Sequence, residues 1–139
     1  MLKIISHRGN IDGRTENENK PLYIEHAISL GYDVEIDVWD IDGKLYLGHD
    51  EPQYSIEIEF LKNPKLWCHA KNLEAFEIMN TNDIHCFWHD TDKITFTNKS
   101  IPWCYPEIYI ESGITVELGT KKSIPKIYGI CTDYPETWN

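Results

Sequence analysis

In residues 31–39, Gly31-Tyr32-Asp33-Val34-Glu35-Ile36-Asp37-Val38-Trp39, apolar and acidic side chains alternate strictly from Val34 onward. Successive side chains of a strand point to opposite faces, so Val34, Ile36 and Val38 share one face and Glu35, Asp37 and Trp39 the other. The two carboxylates then lie about 6 to 7 Å apart. At an effective dielectric near ~20, like charges at that separation repel by roughly 2.5 kcal/mol. Two arrangements relieve the repulsion. Either both groups face solvent, or a cation bridges them, and hard oxygen ligands would select Mg²⁺ or Ca²⁺.

Upstream, residues 2–6 form a short β-branched run that stops at His7-Arg8-Gly9 and enters a polar stretch reaching Lys20, which reads as a strand running into a loop. Pro21 suits a first helical turn, and Leu22, Ile24, Ala27, Ile28 and Leu30 recur near the helical period until Gly31. Downstream, Asp42-Gly43 is a hairpin turn signal, and residues 44–48 return as a strand ending at His49-Asp50. Residues 56–63 suggest a short helix before Asn63-Pro64, residues 66–71 a strand, and Asn72 the cap of a helix with Leu73, Phe76 and Met79 or Ile78 inward. Further strands are expected near 84–89, 94–97, 101–105, 114–118 and 127–131. Helix signals are scarce after residue 80, and no linker or repeat divides the chain, so one α/β domain spanning 1–139 is expected.

The chain has 139 residues, with 13 basic and 23 acidic side chains and a net charge of −10. About two thirds of the unfolded surface can be buried at this size, enough for a core without metal or disulfide staples. A complete eightfold β/α barrel needs roughly 200 residues and does not fit. The acidic balance opposes nucleic acid and anionic membrane as partners and suits a bound divalent cation. No apolar run approaches the roughly 18 residues of a membrane span, and the start lacks a signal-peptide pattern, so no stable membrane insertion and a cytoplasmic location are expected. Cys68, Cys86, Cys104 and Cys131 form no Cys-x-x-Cys pair and read as buried reduced thiols. Oligomeric state has no signature.

His7 ends the first strand and His49 the strand after the hairpin turn. A histidine at a strand end is either solvated or functional. Two of them framing an acidic pair can divide the roles of general base and general acid, because imidazole titrates near neutral pH.

Ser6-His7-Arg8-Gly9, Glu16-Asn17, Ala27, the run from Gly31 to Val38 and Leu47-Gly48-His49-Asp50 resemble, in order and spacing, the amino-terminal signature of the glycerophosphodiester phosphodiesterases, a branch of the phospholipase-C-like phosphodiesterase barrels. Tyr128-Gly129-Ile130-Cys131-Thr132-Asp133-Tyr134-Pro135 is similar to the Thr-Asp-x-Pro segment that closes the last strand of that family. The resemblance implies a reduced or irregular TIM-type β/α barrel, with outer helices missing in the second half, that hydrolyses a small-molecule phosphodiester with one divalent cation. It implies His7 and His49 as acid and base, Glu35 and Asp37 as metal ligands, and Arg8 as a phosphate contact. Glu16 and Asp50 would support the site.

The sequence also departs from the family. Where the family offers Glu-x-Lys on its third strand, this chain has His69-Ala70-Lys71, which keeps Lys71 near phosphate and changes the third ligand. His69 could ligate and soften the preference toward Mn²⁺ or Zn²⁺, Glu117 could substitute, or His69 could be a core residue. The family's insertion after His-Asp is nearly absent, so its substrate does not carry over. In the aromatic middle segment Trp103 and His89 are either packing or a wall beside the substrate. A remnant that binds a phosphorylated ligand or metal without turnover is the alternative function.

Overall fold

The computed structural model describes residues 1–139. Its central strand is the alternating acidic one, β2 (Asp33–Ile41), flanked by β1 (Lys3–His7) and by β3 (Lys44–Leu47), the return arm of the Asp42-Gly43 hairpin. Asp42 takes φ 51° and Gly43 φ 84°, the left-handed pair that a tight hairpin needs. The chain continues through β4 (Tyr54–Ile56), β5 (Leu66–Ala70), β6 (Cys86–Trp88), β7 (Ile94–Phe96), β8 (Pro102–Cys104), β9 (Ile114–Val116) and β10 (Gly129–Thr132). Only two α-helices form, α1 (Pro21–Ser29) and α2 (Leu73–Thr81), with 3₁₀ turns at Ile58–Lys62 and Pro135–Trp138. Asn72 caps α2, accepting from the Ala75 N–H at 3.0 Å. The helix expected over 56–63 begins as strand β4 and becomes the first 3₁₀ turn.

All ten strands belong to one mixed sheet, in the order β4-β3-β2-β1-β10-β9-β8-β7, with β5 and then β6 on the other side of β2. The sheet curls into an open half-barrel. This overturns the expected TIM-type β/α barrel. Strands β3, β4 and β7 run antiparallel to their neighbours, β6 forms no ladder with β7 or β8, and no helix separates the strands after Thr81. The physical cause lies in the connections. Residues 105–113 and 117–128 carry Pro106, Gly113, Gly119 and Pro125, which break a helix pattern, so these parallel crossovers are loops.

The two faces of the sheet differ. On the convex face Val34, Ile36 and Val38 join Leu66, Cys68, Ala70 and Cys86 under Ile24 and Ala27 of α1 and Ala75 and Met79 of α2. On the concave face Ile5, Trp67, Phe87, Trp103, Ile114 and Cys131 pack together, one each from β1, β5, β6, β8, β9 and β10. Phe87 and Trp103 stack with ring centroids 4.5 Å apart, a contact worth about 1 kcal/mol beyond its burial. Strand β2 contributes no apolar side chain to this inner cluster. Its buried inward residues are the carboxylates Asp33, Glu35 and Asp37, and the polar centre sits where they break the apolar lining. All four cysteines are free and buried. No helix is long and apolar enough to cross a membrane.

Candidate metal centre

Parallel pairing sets the levels of the centre. His7 lies in register with Glu35, Asp37 with His69, and Ser6 with Thr132, which brings the following residue, Asp133, beside His7. Four adjacent strands, β10, β1, β2 and β5, therefore deliver His7, Glu35, Asp37, His69 and Asp133 to one mouth.

Glu35 and Asp37 are 3% and 1% exposed, so the solvent-facing arrangement does not occur. Glu35 Oε1 and Asp37 Oδ1 are buried and accept no hydrogen bond. Burial, then the neighbouring Asp37 charge, push the Glu35 carboxyl well above the ordinary range despite Arg8 and Lys71. Burial also acts upward on Asp37, but its polar and charged neighbours, Arg8 among them, hold it below the ordinary range. Two buried carboxylates with orphaned oxygens are a costly arrangement that a cation relieves. Ligand atoms of Glu35, Asp37 and His69 all lie within 4.8 Å of one another. The donor set fits a divalent cation.

The histidine tautomers follow from their partners. His69 Nε2 lies 2.8 Å from the His89 carbonyl oxygen, which can only accept. Its Nδ1 faces Asp37 Oδ1 at 3.3 Å and Glu35 Oε2 at 3.9 Å. His7 donates from Nδ1 to Asp133 Oδ1 at 2.8 Å and turns Nε2 toward Glu35 Oε1 at 3.9 Å. His49 shows the opposite polarity. Arg8 Nη2 approaches its Nδ1 at 2.7 Å, and a guanidinium only donates, so the ring proton sits on Nε2.

The loop after β1 holds Arg8 over the carboxylates. Arg8 adopts φ 59° and Gly9 φ 92°, and a Cβ on Gly9 would come within 2.7 Å of the Tyr23 ring. Arg8 Nε sits 3.3 Å from Asp37 Oδ2, and Nη1 donates to Glu18 Oε1 at 3.3 Å. Burial opposes the guanidinium charge, yet Glu35, Asp37 and Glu18 raise its pKa overall. Asn19 brackets Asp37, donating to Oδ2 at 2.9 Å and accepting from the Asp37 N–H at 3.0 Å. Asn10 donates to Glu18 Oε2 at 2.6 Å and to Asp133 Oδ1 at 2.9 Å. Burial raises the Asp133 carboxyl, and the bonds from His7 and Asn10 outweigh it, leaving Asp133 below its ordinary range.

His7, Arg8, Glu35, Asp37, His49 and His69 thus converge. Lys71 makes no ion pair but lines a 210 Å³ cleft with His69, Trp88 and His89. Glu16 is exposed at the rim of a second cleft, of 170 Å³, lined by Arg8, Glu18 and His49 without any apolar residue. The supporting contacts expected of Glu16 belong to Glu18. The sequence Glu16-Asn17-Glu18-Asn19 repeats the dipeptide, and the second copy reaches the centre. The Asp50 side chain is 94% exposed and lies 3.6 Å from His49 Nε2. Glu117 is no substitute ligand, because it alternates with inward Val116 and pairs with Lys122 at 2.9 Å and the Tyr109 hydroxyl at 2.7 Å. Trp103 is core rather than a substrate wall. His89 packs edge-on against Tyr105, and neither ring nitrogen has a partner. Sequence reasoning missed Asn10, Glu18, Asn19 and the role of Asp133. The last was visible as Thr132-Asp133 but carried no assigned contact.

No family model, no curated protein and no solved structure matches this chain.

Proposed function

We propose that this centre hydrolyses phosphodiesters of small alcohols with the help of one divalent cation, Mg²⁺, Ca²⁺ or Mn²⁺. The observation that carries the reading is the buried carboxylate pair with two unpartnered oxygens, framed by two imidazoles of opposite hydrogen-bond polarity. The resemblance of the segments around His7, Glu35, His49 and Asp133 to the glycerophosphodiester phosphodiesterases supports the same reading.

Glu35, Asp37 and His69 would hold the cation, which when bound would supply Lewis-acid polarisation of a phosphoryl oxygen. His7 is the general base: Asp133 binds its Nδ1 proton, so Nε2 is open to take a proton from water or from a neighbouring substrate hydroxyl, and the carboxylate stabilises the imidazolium that results. Arg8 and Lys71 bind the remaining phosphate oxygens, Arg8 through two parallel N–H groups. Arg8 moving onto phosphate releases His49 Nδ1, and the ring can then carry the second proton that it delivers to the leaving alcohol. The wholly polar cleft beside His49 suits a small hydroxylated alcohol.

The test is hydrolysis of bis-p-nitrophenyl phosphate and of glycerophosphodiesters in each of the three metals. His7→Ala and His49→Ala should each lose at least about a hundredfold in turnover while retaining the wild-type circular dichroism spectrum. Full activity in both variants would remove the reading. One observation favours the second reading, a domain that binds a phosphorylated ligand or metal without turnover. Arg8 is already engaged by Glu18, Asp37 and His49, so phosphate must compete for it. Calorimetric binding with no hydrolysis in any metal is the result expected of that alternative.

A further inference from the structure

The third member of the centre is a nitrogen, and its tautomer is set from outside. The His89 carbonyl takes the Nε2 proton of His69, so in the neutral ring Nδ1 carries the lone pair and aims it at Asp37 Oδ1 and Glu35 Oε2. A backbone carbonyl behind an imidazole is the usual device for fixing a metal-ligating tautomer. Two atoms each about 2.1 Å from one ion lie roughly 3.0 Å apart at a right angle and about 3.4 Å apart at the tetrahedral angle. The 3.3 Å between His69 Nδ1 and Asp37 Oδ1 falls in that range, and the 3.9 Å to Glu35 Oε2 lies just beyond it. The orphaned oxygens of Glu35 and Asp37 are an independent sign that the site awaits a positive ligand. The ring of His69 is also stacked on Phe87, with centroids 5.1 Å apart and planes 11° from parallel, so it cannot swing away without leaving that contact.

We infer that this is a mixed carboxylate–imidazole centre that selects a borderline transition-metal dication of the Mn²⁺ and Zn²⁺ class over Mg²⁺ and Ca²⁺, with His69 Nδ1 as the discriminating ligand. The inference rests on reading the centre as a cation site and moves the choice of cation from the hard ions toward the borderline ones. Mg²⁺ and Ca²⁺ are hard ions that favour oxygen, whereas imidazole suits the later divalent metals, and affinity rises from Mn²⁺ toward Zn²⁺ for such a donor set.

The experiment is binding of Mg²⁺, Ca²⁺, Mn²⁺ and Zn²⁺ to chelator-treated full-length protein by calorimetry, together with pulsed electron paramagnetic resonance of the Mn²⁺-loaded wild type. Mn²⁺ should bind at least tenfold tighter than Mg²⁺ or Ca²⁺, Zn²⁺ tighter still, and the Mn²⁺ spectrum should show a directly coordinated ¹⁴N. His69→Glu should erase the ¹⁴N coupling and bring Mg²⁺ and Mn²⁺ affinities within about threefold of each other. Glu117→Gln, altered on the opposite face, should change neither. Equal binding of Mg²⁺ and Mn²⁺ by the wild type, or a Mn²⁺ spectrum without nitrogen coupling, would overturn the inference, and the spectrum decides this even if His69→Glu fails to fold. Nitrogen-coupled, selective binding in a protein that hydrolyses no diester would uphold the metal assignment and remove the hydrolase reading. Hydrolysis sustained equally in Mg²⁺ by a centre without nitrogen coupling would do the reverse.

Discussion

Asp133 accepts the Nδ1 proton of His7 at 2.8 Å, which joins the last strand to the first and leaves the other imidazole nitrogen facing Glu35. A carboxylate behind a base orients the ring and stabilises the imidazolium formed on proton transfer. Asp133→Asn keeps the shape and removes the charge. Steady-state kinetics should show kcat reduced by about a hundredfold or more, with KM nearly unchanged. An unchanged kcat would separate His7 from proton transfer.

Glu35→Gln should strengthen the metal-free fold and weaken the centre. Removing one of two buried acids relieves desolvation and like-charge repulsion. Thermal melts should therefore show a higher Tm for the variant without metal. Saturating metal should raise the wild-type Tm and leave that of the variant almost unmoved.

The repeated Glu-Asn dipeptide gives a paired test. Glu16 is exposed, and Glu16→Gln should stay within about 0.5 kcal/mol of wild type in urea unfolding. Glu18 accepts from Asn10 and Arg8, and Glu18→Gln should cost about 1 to 2 kcal/mol. Equal costs would mean that the register of this loop is wrong.

His85 gives the fold an acid-sensitive point away from the centre. The Thr97 hydroxyl oxygen accepts from the Lys99 and Ile101 N–H groups, so its proton goes to His85 Nε2 at 2.8 Å, which requires a neutral ring. Burial, then Lys99, lower the His85 pKa to about 4. The unfolded chain takes up this proton near the ordinary value of about 6.5. The stabilisation is therefore full above about pH 6.5 and is lost progressively as pH falls toward about 4, amounting to roughly 2 kcal/mol after allowance for solvent at the ring. Urea midpoints measured from pH 7 to pH 4 should fall for the wild type and flatten across this window in His85→Gln.

The strand at the centre was legible because its alternation is local: Val34, Ile36 and Val38 declare a buried face, and Glu35 and Asp37 the other. The hairpin at Asp42-Gly43 and the cap at Asn72 were readable for the same reason. What escaped depends on partners distant in sequence. The tautomer of His69 is fixed by a carbonyl twenty residues away, and no pattern around either residue announces it. Glu117 sits on a readable strand, but its exclusion follows from which face Ile114 and Val116 turn inward, a choice made by neighbouring strands. The open curl reflects the missing ladder between β6 and β8, and local periodicity says nothing about whether a sheet closes.

Metal-dependent turnover by the wild type and by Asp37→Asn tests the hydrolase reading most directly. Bis-p-nitrophenyl phosphate hydrolysis should be absent after chelation, return on titration with Mn²⁺ at a half-saturation matching the calorimetric Kd, and fall at least a hundredfold in Asp37→Asn at saturating metal. Turnover that survives chelation or the Asp37→Asn change, or no turnover by the metal-loaded wild type, would contradict it.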